Sequence, residues 1–501
     1  MFASRLLPTP FLALLLGALT VAGFAPFELH ALPLISLIVL FRFWGEAADA
    51  RRAAGLGFAW GLGFFLAGVS WVYVSLHDVG GMAAPLALIA TVLFCAYLAL
   101  FPAFAGGLFR WLRPRREGPW SAVPLVAACW LLAELMRGHL LTGFPWLAIG
   151  YSQTPPSPLS GFAPLIGSYG VGFVLALIAG AFAFAPAGWR GKAAALVFAT
   201  LIVTAGALLG RIAWSEPVGE PLRVSLLQGN VPQGIKWDPK RLSLSLDTYL
   251  RLAEAHPAPL IVLPETALPL FLDQVPADVL ARLAGQREAL LGIAVRDGRG
   301  GYVNAGVALP LQDASPRLYA KRHLVPFGEF IPPGFDWFFA LVRIPMSDFT
   351  PGSQDQRPIA LAGQRVAVNI CYEDLFGEEL LAALPEASLL INLSNTAWFG
   401  RSLAQAQHLQ AARLRALETG RPMLRATNTG MTAAIAADGR IIDVLPAFTA
   451  GALQVEVRGH QGLTPYARWA NVPLWLLALA LPCSVAARLW RRCRITPCRP
   501  G

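Results

Sequence analysis

Seven runs of mostly apolar residues fill the first 212 positions of the chain, and nothing else in it restricts the fold as severely. They lie near 6–24, 31–45, 54–76, 82–109, 119–136, 163–187 and 193–212, and an eighth follows near 472–490. Several reach the ~20 apolar residues that a helix needs to cross a hydrocarbon core. The second, "LPLISLIVLFRFW", is the weakest. Lipid offers no partner to a backbone N–H or C=O, so such runs are expected to be helices, about eight transmembrane helices in all. Arg5 and "VAGFA" make the first run resemble a secretory leader, but further runs follow almost at once, which favours an uncleaved helix. Only 14% of the 501 residues are charged, where a water-soluble chain carries about a quarter.

Arginine and lysine set the orientation of such a bundle. Arg5, Arg51 and Arg52, "RWLRPRR" (110–116), "WRGK" (189–192) and "RLWRRCR" (488–494) are basic, whereas "FELHA", "LHDVGG" and "RGHLLTGFPWLAIGYSQTPPSP" are poor in positive charge. With eight spans this alternation puts both termini in the cytoplasm. The stretch between the seventh and eighth spans then faces outward, into the periplasm of a Gram-negative cell. The same arginines explain most of the net charge of +10, so no nucleic-acid partner is implied. The expected division is a membrane domain at 1–214, an outward domain at 220–465, and a last span with a basic tail at 470–501. Glu134 and Arg137, near the end of the fifth run, are costly in lipid and are expected to pair, to face a cavity or, for Arg137, to snorkel. Trp146 in "GFPW" reads as an interface anchor.

Residues 220–465 alternate strand-like and helix-like runs. "LRVSLLQGN", "PLIVLPE", "LLGIAVRD", "YVNAGVALP", "PRLYAKRHL", "QRVAVNIC", "ASLLINLS" and the segments from "PMLRAT" to "GALQVEVR" are expected strands. Helices are expected at "DPKRLSLSLDTYLRLAEAH" with Asp238 as N-cap, near 276–288, from about Leu375, and at 401–419. Continuous apolar strands such as "LIVLP" and "LLINL" are buried on both faces, which implies an α/β domain of helices layered on sheet.

Within that domain Cys371 is the sole cysteine, so it has no disulfide to make there. It closes "RVAVNIC" and is followed by Glu373 and Asp374, two carboxylates that oppose formation of a thiolate. Reactive groups in α/β sheets sit where strands end, and Glu265 after "LIVLP", Lys321 after "RLYA" and Cys371 all meet that condition. An acid, an amine and a thiol are the parts of nucleophilic acyl transfer. Glu265 would take the thiol proton, Lys321 would stabilise an oxyanion, and a helix starting near Leu375 would lower the thiol pKa. Against this stands a plainer alternative: strand-end charges are commonly solvated, and lone cysteines are commonly small buried hydrophobes. His323 and His408 have no cluster of ligands around them, so no metal is expected.

"LPETALP" around Glu265, "YAKRHLVPFGEFIP" around Lys321 and "NICYEDLF" around Cys371, in that order, resemble the nitrilase (carbon–nitrogen hydrolase) superfamily. With "LLAELMRGHLLTGFPWLAIGYSQ" and "LSNTAWFG", the chain more narrowly resembles the bacterial apolipoprotein N-acyltransferases over almost its whole length. The resemblance implies a nitrilase-like αββα sandwich and a Glu265, Lys321, Cys371 triad. It implies a two-step reaction in which Cys371 takes an acyl chain from a phospholipid as a thioester. The α-amino group of the diacylglyceryl-cysteine at an apolipoprotein N-terminus then receives that chain. Glu329, Tyr372, Glu373 and Trp237 are implied as supporting residues, with Glu329 orienting Lys321 or Glu265 and Trp237 on an arm near the lipid entrance. No cofactor is required, and a monomer in the bacterial inner membrane is expected. Two competitors are a membrane-tethered amidase or nitrilase-type hydrolase of small amides, and a transporter or receptor whose outward domain only binds ligand.

Overall fold

The computed structural model describes residues 8–113, 118–233, 242–285, 287–310, 317–335 and 348–495. Arg5, Trp237 and Asp238 therefore lie outside the described residues. The chain divides into two compact units, one of residues 1–70, 88–212 and 469–501, the other of residues 71–87 and 213–468.

The first unit is helical. Ala84–Leu112, Pro119–Thr142, Pro158–Ala183 and Trp189–Leu209 are long and apolar enough to cross a membrane, and a fifth span results if Ala50–Gly68 and Trp71–Val79 are counted as one. Among the described residues the count by length is thus four or five rather than eight. The reasons are local. The expected third span breaks after Gly68, and Trp71–Ala87 belongs to the second unit. Ala31–Glu46 has only 16 residues, a rise of about 24 Å against a core of about 30 Å, and its end carries the exposed Arg42–Glu46 ion pair. Thr9–Gly23 and Val472–Arg488 are apolar but also short.

The long uncharged segment after the fifth run is not a solvated loop. Residues 145–154 are buried, Trp146 at 2% exposure among them, so Trp146 is a packed core residue and no interface anchor. Arg137, 3% exposed, donates to the carbonyls of Phe144 (2.6 Å) and Trp146 (2.7 Å), and Glu134 accepts from the Ile149 N–H (2.7 Å). Arg137 does not snorkel; the two charges, 3.7 Å apart, satisfy backbone groups that a buried irregular segment cannot leave bare.

The second unit holds two six-stranded sheets. One is ordered β12-β1-β2-β3-β4-β5 from β1 Glu216–Gln228, β2 Leu260–Val262, β3 Glu288–Arg296, β4 Tyr302–Leu309, β5 Leu318–Ala320 and β12 Gly451–Gln461. The other is ordered β11-β10-β9-β8-β7-β6 from β6 Ile359–Leu361, β7 Gln364–Ile370, β8 Leu389–Ser394, β9 Met423–Thr427, β10 Ala433–Ile435 and β11 Ile441–Val444. Each has a parallel centre, β1-β2-β3 and β7-β8-β9, with antiparallel strands outside it. All six residues of β8, "LLINLS", are buried, as a central strand covered on both faces must be. The outer β12 instead alternates buried and exposed positions.

Helices Leu242–Ala255 and Ala277–Ala284 cover the first sheet, packing Tyr249, Leu250 and Leu283 on Ile261, Leu291 and Val307. Helix Ala404–Thr419 covers the second, packing Leu409, Ala412 and Ala416 on Leu390, Met423 and Ile435. Each fully buried Leu or Ile contributes about 1.5–3 kcal/mol relative to exposure. The sheets face one another at Gly306, where a methyl group would lie 2.9 Å from Val368 and 3.1 Å from Leu393. Helix, sheet, sheet, helix is the αββα sandwich expected.

Local chemistry moves several boundaries. The helix near 276–288 ends at Ala284 because Gly285 takes a positive φ (57°, ψ −129°) that glycine alone adopts freely. Gly420 (φ 63°) ends the helix at Thr419 in the same way. The hairpin from β6 to β7, closed by Ala362 and Gly363 with positive φ, has the two-residue turn that matches strand twist. No long helix starts at Leu375: residues Cys371–Leu375 make a 3-10 turn, and non-helical Phe376 (φ −102°, ψ 81°) separates it from a four-residue helix, Gly377–Leu380.

Candidate active site

Three strand ends converge. Glu265 lies three residues beyond β2, Lys321 directly follows β5, and Cys371 directly follows β7. All three are buried, at 6%, 1% and 7% exposure. The first two belong to one sheet and the cysteine to the other, so the site spans the seam of the sandwich.

Glu265 accepts from three donors: Asn304 Nδ2 at 2.7 Å, the Asn395 backbone N–H at 2.7 Å, and Lys321 Nζ at 3.4 Å. Lys321 Nζ also donates to Glu329 at 2.8 Å, and Glu329 in turn accepts from Asn304 Nδ2 (3.0 Å) and the Val325 N–H (2.9 Å). One ammonium thus sits between two carboxylates, with Asn304 bridging both. Burial alone would lower the Lys321 pKa, but Glu265 and Glu329 outweigh it and raise it, so the amine stays charged.

Cys371 has φ 54°, a left-handed conformation rare outside glycine. Non-glycine residues held there are strained and persist where surrounding contacts over-determine them. Burial, with the negative charge of Glu265 adding to it, pushes the thiol pKa well above its ordinary value, against the pull of Lys321. A resting thiol, not a thiolate, faces the site. The helix expected at Leu375 does not exist to lower that pKa, and Lys321 is the group that favours negative charge on sulfur.

The two carboxylates after the cysteine are both occupied. Glu373 Oε1 accepts from Tyr319 Oη (2.9 Å) and the N–H groups of Arg322 (2.7 Å) and His323 (3.1 Å), and Oε2 accepts from the Ile370 N–H (2.7 Å). Burial raises its pKa, partly offset by Lys321 and these donors. Glu373 therefore clamps the chain on either side of Lys321 to the residue before Cys371. Asp374 points the other way, to His408 Nε2 (2.6 Å) and the guanidinium of Arg425. Tyr372 packs its ring against Phe376 (5.0 Å) and His323 (5.6 Å).

Of the seven residues singled out from the sequence, Glu265, Lys321, Glu329, Cys371, Tyr372 and Glu373 come together here; Trp237 lies outside the described residues. Asn304 and Asn395 were not foreseen. The signal for Asn304 was available, since an amide inside the apolar strand "YVNAGVALP" needs a buried partner.

Among the described residues no group of three or more His, Cys, Asp or Glu side chains could hold a metal ion. What the site can do is pass one proton between a buried thiol and a carboxylate while an ammonium waits beside them, which suits attack on a carbonyl carbon.

Comparison with known proteins covers both units. Residues 16–181 match the apolipoprotein N-acyltransferase N-terminal domain, and residues 223–466 match the carbon-nitrogen hydrolase family. A Nitrosomonas europaea protein named apolipoprotein N-acyltransferase is 47% identical over 497 residues, covering 96% of this chain and 98% of its own. A protein of that name from Chromobacterium violaceum is 47% identical over 491 residues, covering 96% and 94%. One from Ralstonia nicotianae is 45% identical over 472 residues, covering 92% and 90%. Hydrolase likeness alone would leave the apolar half unaccounted for, whereas these relatives run the length of both units, and the chain belongs to the apolipoprotein N-acyltransferase family.

Proposed function

We propose that this N-acyltransferase moves an acyl chain from a membrane phospholipid, through a thioester on Cys371, to the α-amino group of the N-terminal diacylglyceryl-cysteine of apolipoproteins. The observation that carries this reading is the placement of Glu265 and Lys321 beside a buried thiol held in a left-handed turn.

In the first half-reaction the Cys371 S–H bond breaks as sulfur attacks the ester carbonyl, and Glu265 takes the proton. Lys321 stabilises the oxyanion, and the proton passes to the departing lysophospholipid hydroxyl. In the second, the amine attacks the thioester carbonyl, loses a proton through Glu265, and sulfur leaves as the thiol. Glu329 and Asn304 hold Lys321 and Glu265 in aim. Tyr372 and Glu373 shape the turn, and Trp237, which lies outside the described residues, is a supporting residue for the lipid substrate in the same proposal. One chain supplies the whole triad, so a monomer suffices.

The fuller architecture belongs to the same proposal: eight spans, a membrane domain at 1–214, a periplasmic catalytic domain at 220–465, a last span and basic tail at 470–501, and both termini in the cytoplasm. A hydrolase of small amides using the same triad would need a single anchoring span, and the several apolar helices argue against it.

The test is intact-protein mass spectrometry of the purified protein incubated with phospholipid and no acceptor. A hydroxylamine-labile gain of one acyl chain, absent in Cys371→Ala and Glu265→Gln, is the expected result. Folded wild type that gains no mass would sink the thioester reading.

A further inference from the structure

Behind the nucleophile lies a second buried ionic cluster that the acyl-transfer steps above do not use. It joins Asp374, in the 3-10 turn that begins at Cys371, to His408 of the helix Ala404–Thr419 and Arg425 of β9. His408 Nε2 lies 2.6 Å from Asp374 Oδ1, and Arg425 pairs with Oδ2; the three side chains are 0%, 1% and 2% exposed for Asp374, His408 and Arg425. An ion pair as deep as Asp374–Arg425 is weak evidence of stability, because desolvation cancels much of the attraction, so its presence calls for another account.

The account lies in what the cluster grips. Cys371 holds a left-handed backbone without being glycine, a state that relaxes unless contacts on several sides forbid it. Its carbonyl accepts from Asn392 Nδ2 of β8 at 3.1 Å. Three residues on, Asp374 is tied to the covering helix and to β9. Glu373 restrains the opposite side through Ile370 and the chain after Lys321. The turn is therefore fixed at its carbonyl, at its far end and at its front, by elements far apart in sequence.

We propose that His408, Asp374 and Arg425 are positioning residues, which hold Cys371 in its left-handed conformation so that Sγ meets Glu265 and Lys321 in attack geometry. The proposal rests on Cys371 being the nucleophile. Its consequence is kinetic: a nucleophile displaced by about 1 Å loses up to about a hundredfold in rate, while substrates that touch neither His408 nor Arg425 keep their affinity.

The test uses the full-length protein in detergent with a fluorescent phospholipid donor and a diacylated peptide acceptor. His408→Ala should lower kcat at least about tenfold with both KM values within about twofold of wild type. Alkylation on the Cys371 peptide, read by mass spectrometry, should change rate in parallel. His408→Gln, which restores a donor to Asp374, should recover most of the kcat. Should His408→Ala fail to fold, Arg425→Lys carries the test, since it keeps the charge and loses the fork. Unchanged kcat, a KM that rises as kcat falls, or no recovery in His408→Gln would overturn the positioning role. A wild type that forms no thioester would instead sink the nucleophile itself, so the two failures are distinguishable.

Discussion

The backbone N–H of Asn395 donates to Oε2 of Glu265 at 2.7 Å, joining the residue after β8 in one sheet to the residue beyond β2 in the other. Glu265 is thus aimed by both sheets at once. Asn304 supplies the second bond, shared with Glu329. A hydrogen bond to a charged group is worth about 1.5–3 kcal/mol. Asn304→Leu should lower kcat about ten- to a hundredfold and reduce the unfolding free energy by a similar 1.5–3 kcal/mol. Steady-state kinetics and denaturation of the same sample check both; wild-type kcat would remove Asn304 from the machinery.

Glu265→Gln should separate two properties usually lost together. Acylation of Cys371 needs a proton acceptor, and loss of general-base assistance costs about 10²–10⁴-fold. The negative charge of Glu265 also raises the thiol pKa. The variant should therefore alkylate with iodoacetamide at lower pH than wild type while failing to form the thioester. A pH onset unchanged or shifted upward contradicts this electrostatic picture.

Gly292 of β3 lies flush against the chain carrying Glu265. A methyl group there would collide with the Pro264 carbonyl and the Glu265 Cα. Gly292→Ala should leave the fold assembled, displace Glu265, and lower kcat by about a hundredfold with little change in KM. Activity near wild type would mean that Glu265 tolerates such a shift.

Glu373→Gln should behave as a damaged clamp. Both carboxylate oxygens receive N–H donors, so whichever way the amide is turned, its NH₂ faces another donor. The expected cost is about 2 kcal/mol or more of stability. Turnover should fall too, because Lys321 loses its register with Cys371. Retained stability with lost activity would point to a direct catalytic role instead.

Acid should weaken the second unit before it protonates most carboxylates. Burial depresses the folded pKa of His408 and of His460, so below the ordinary histidine value of about 6.5 the unfolded chain binds more protons. Stability from these groups is full above that value and is lost as pH falls through their folded pKa. Asp374 is also depressed, by His408 and Arg425 against the effect of burial, and adds a loss with the same sign at lower pH. Glu373, raised by burial, has the opposite sign. The apparent Tm should fall between pH 7.5 and 5.5, and less steeply in His408→Gln. Equal slopes would show that His408 binds as many protons folded as unfolded, so that its pKa is not depressed.

Much of this was legible because some elements announce themselves locally. "LLINLS" could only be a strand covered on both faces, and Glu265, Lys321 and Cys371 each stand just past a strand-like run. Partners far apart in the chain were not legible: Asn395 and Glu265 are 130 residues apart, and Asp374 and Arg425 are 51 apart. The false helix at Leu375 arose because Glu373 and Asp374 suit a helix start, yet here their side chains serve distant donors and Phe376 departs from helical angles. In the apolar half, the shortage of positive charge in 140–162 suited an outward loop equally well as a segment whose centre, 145–154, is buried. Only the pairing of Arg137 and Glu134 with its backbone distinguishes the two.

The sheet that carries Glu265 and Lys321 is completed by its last-made strand: β12, residues 451–461, lies along β1, residues 216–228, which the ribosome finishes more than two hundred residues earlier. Until β12 arrives, β1 has a bare edge. The edge of the sheet that aims Glu265 is therefore covered by a strand that follows every member of the triad in the chain, and a chain stopped short of residue 451 leaves β1 unpaired on that side.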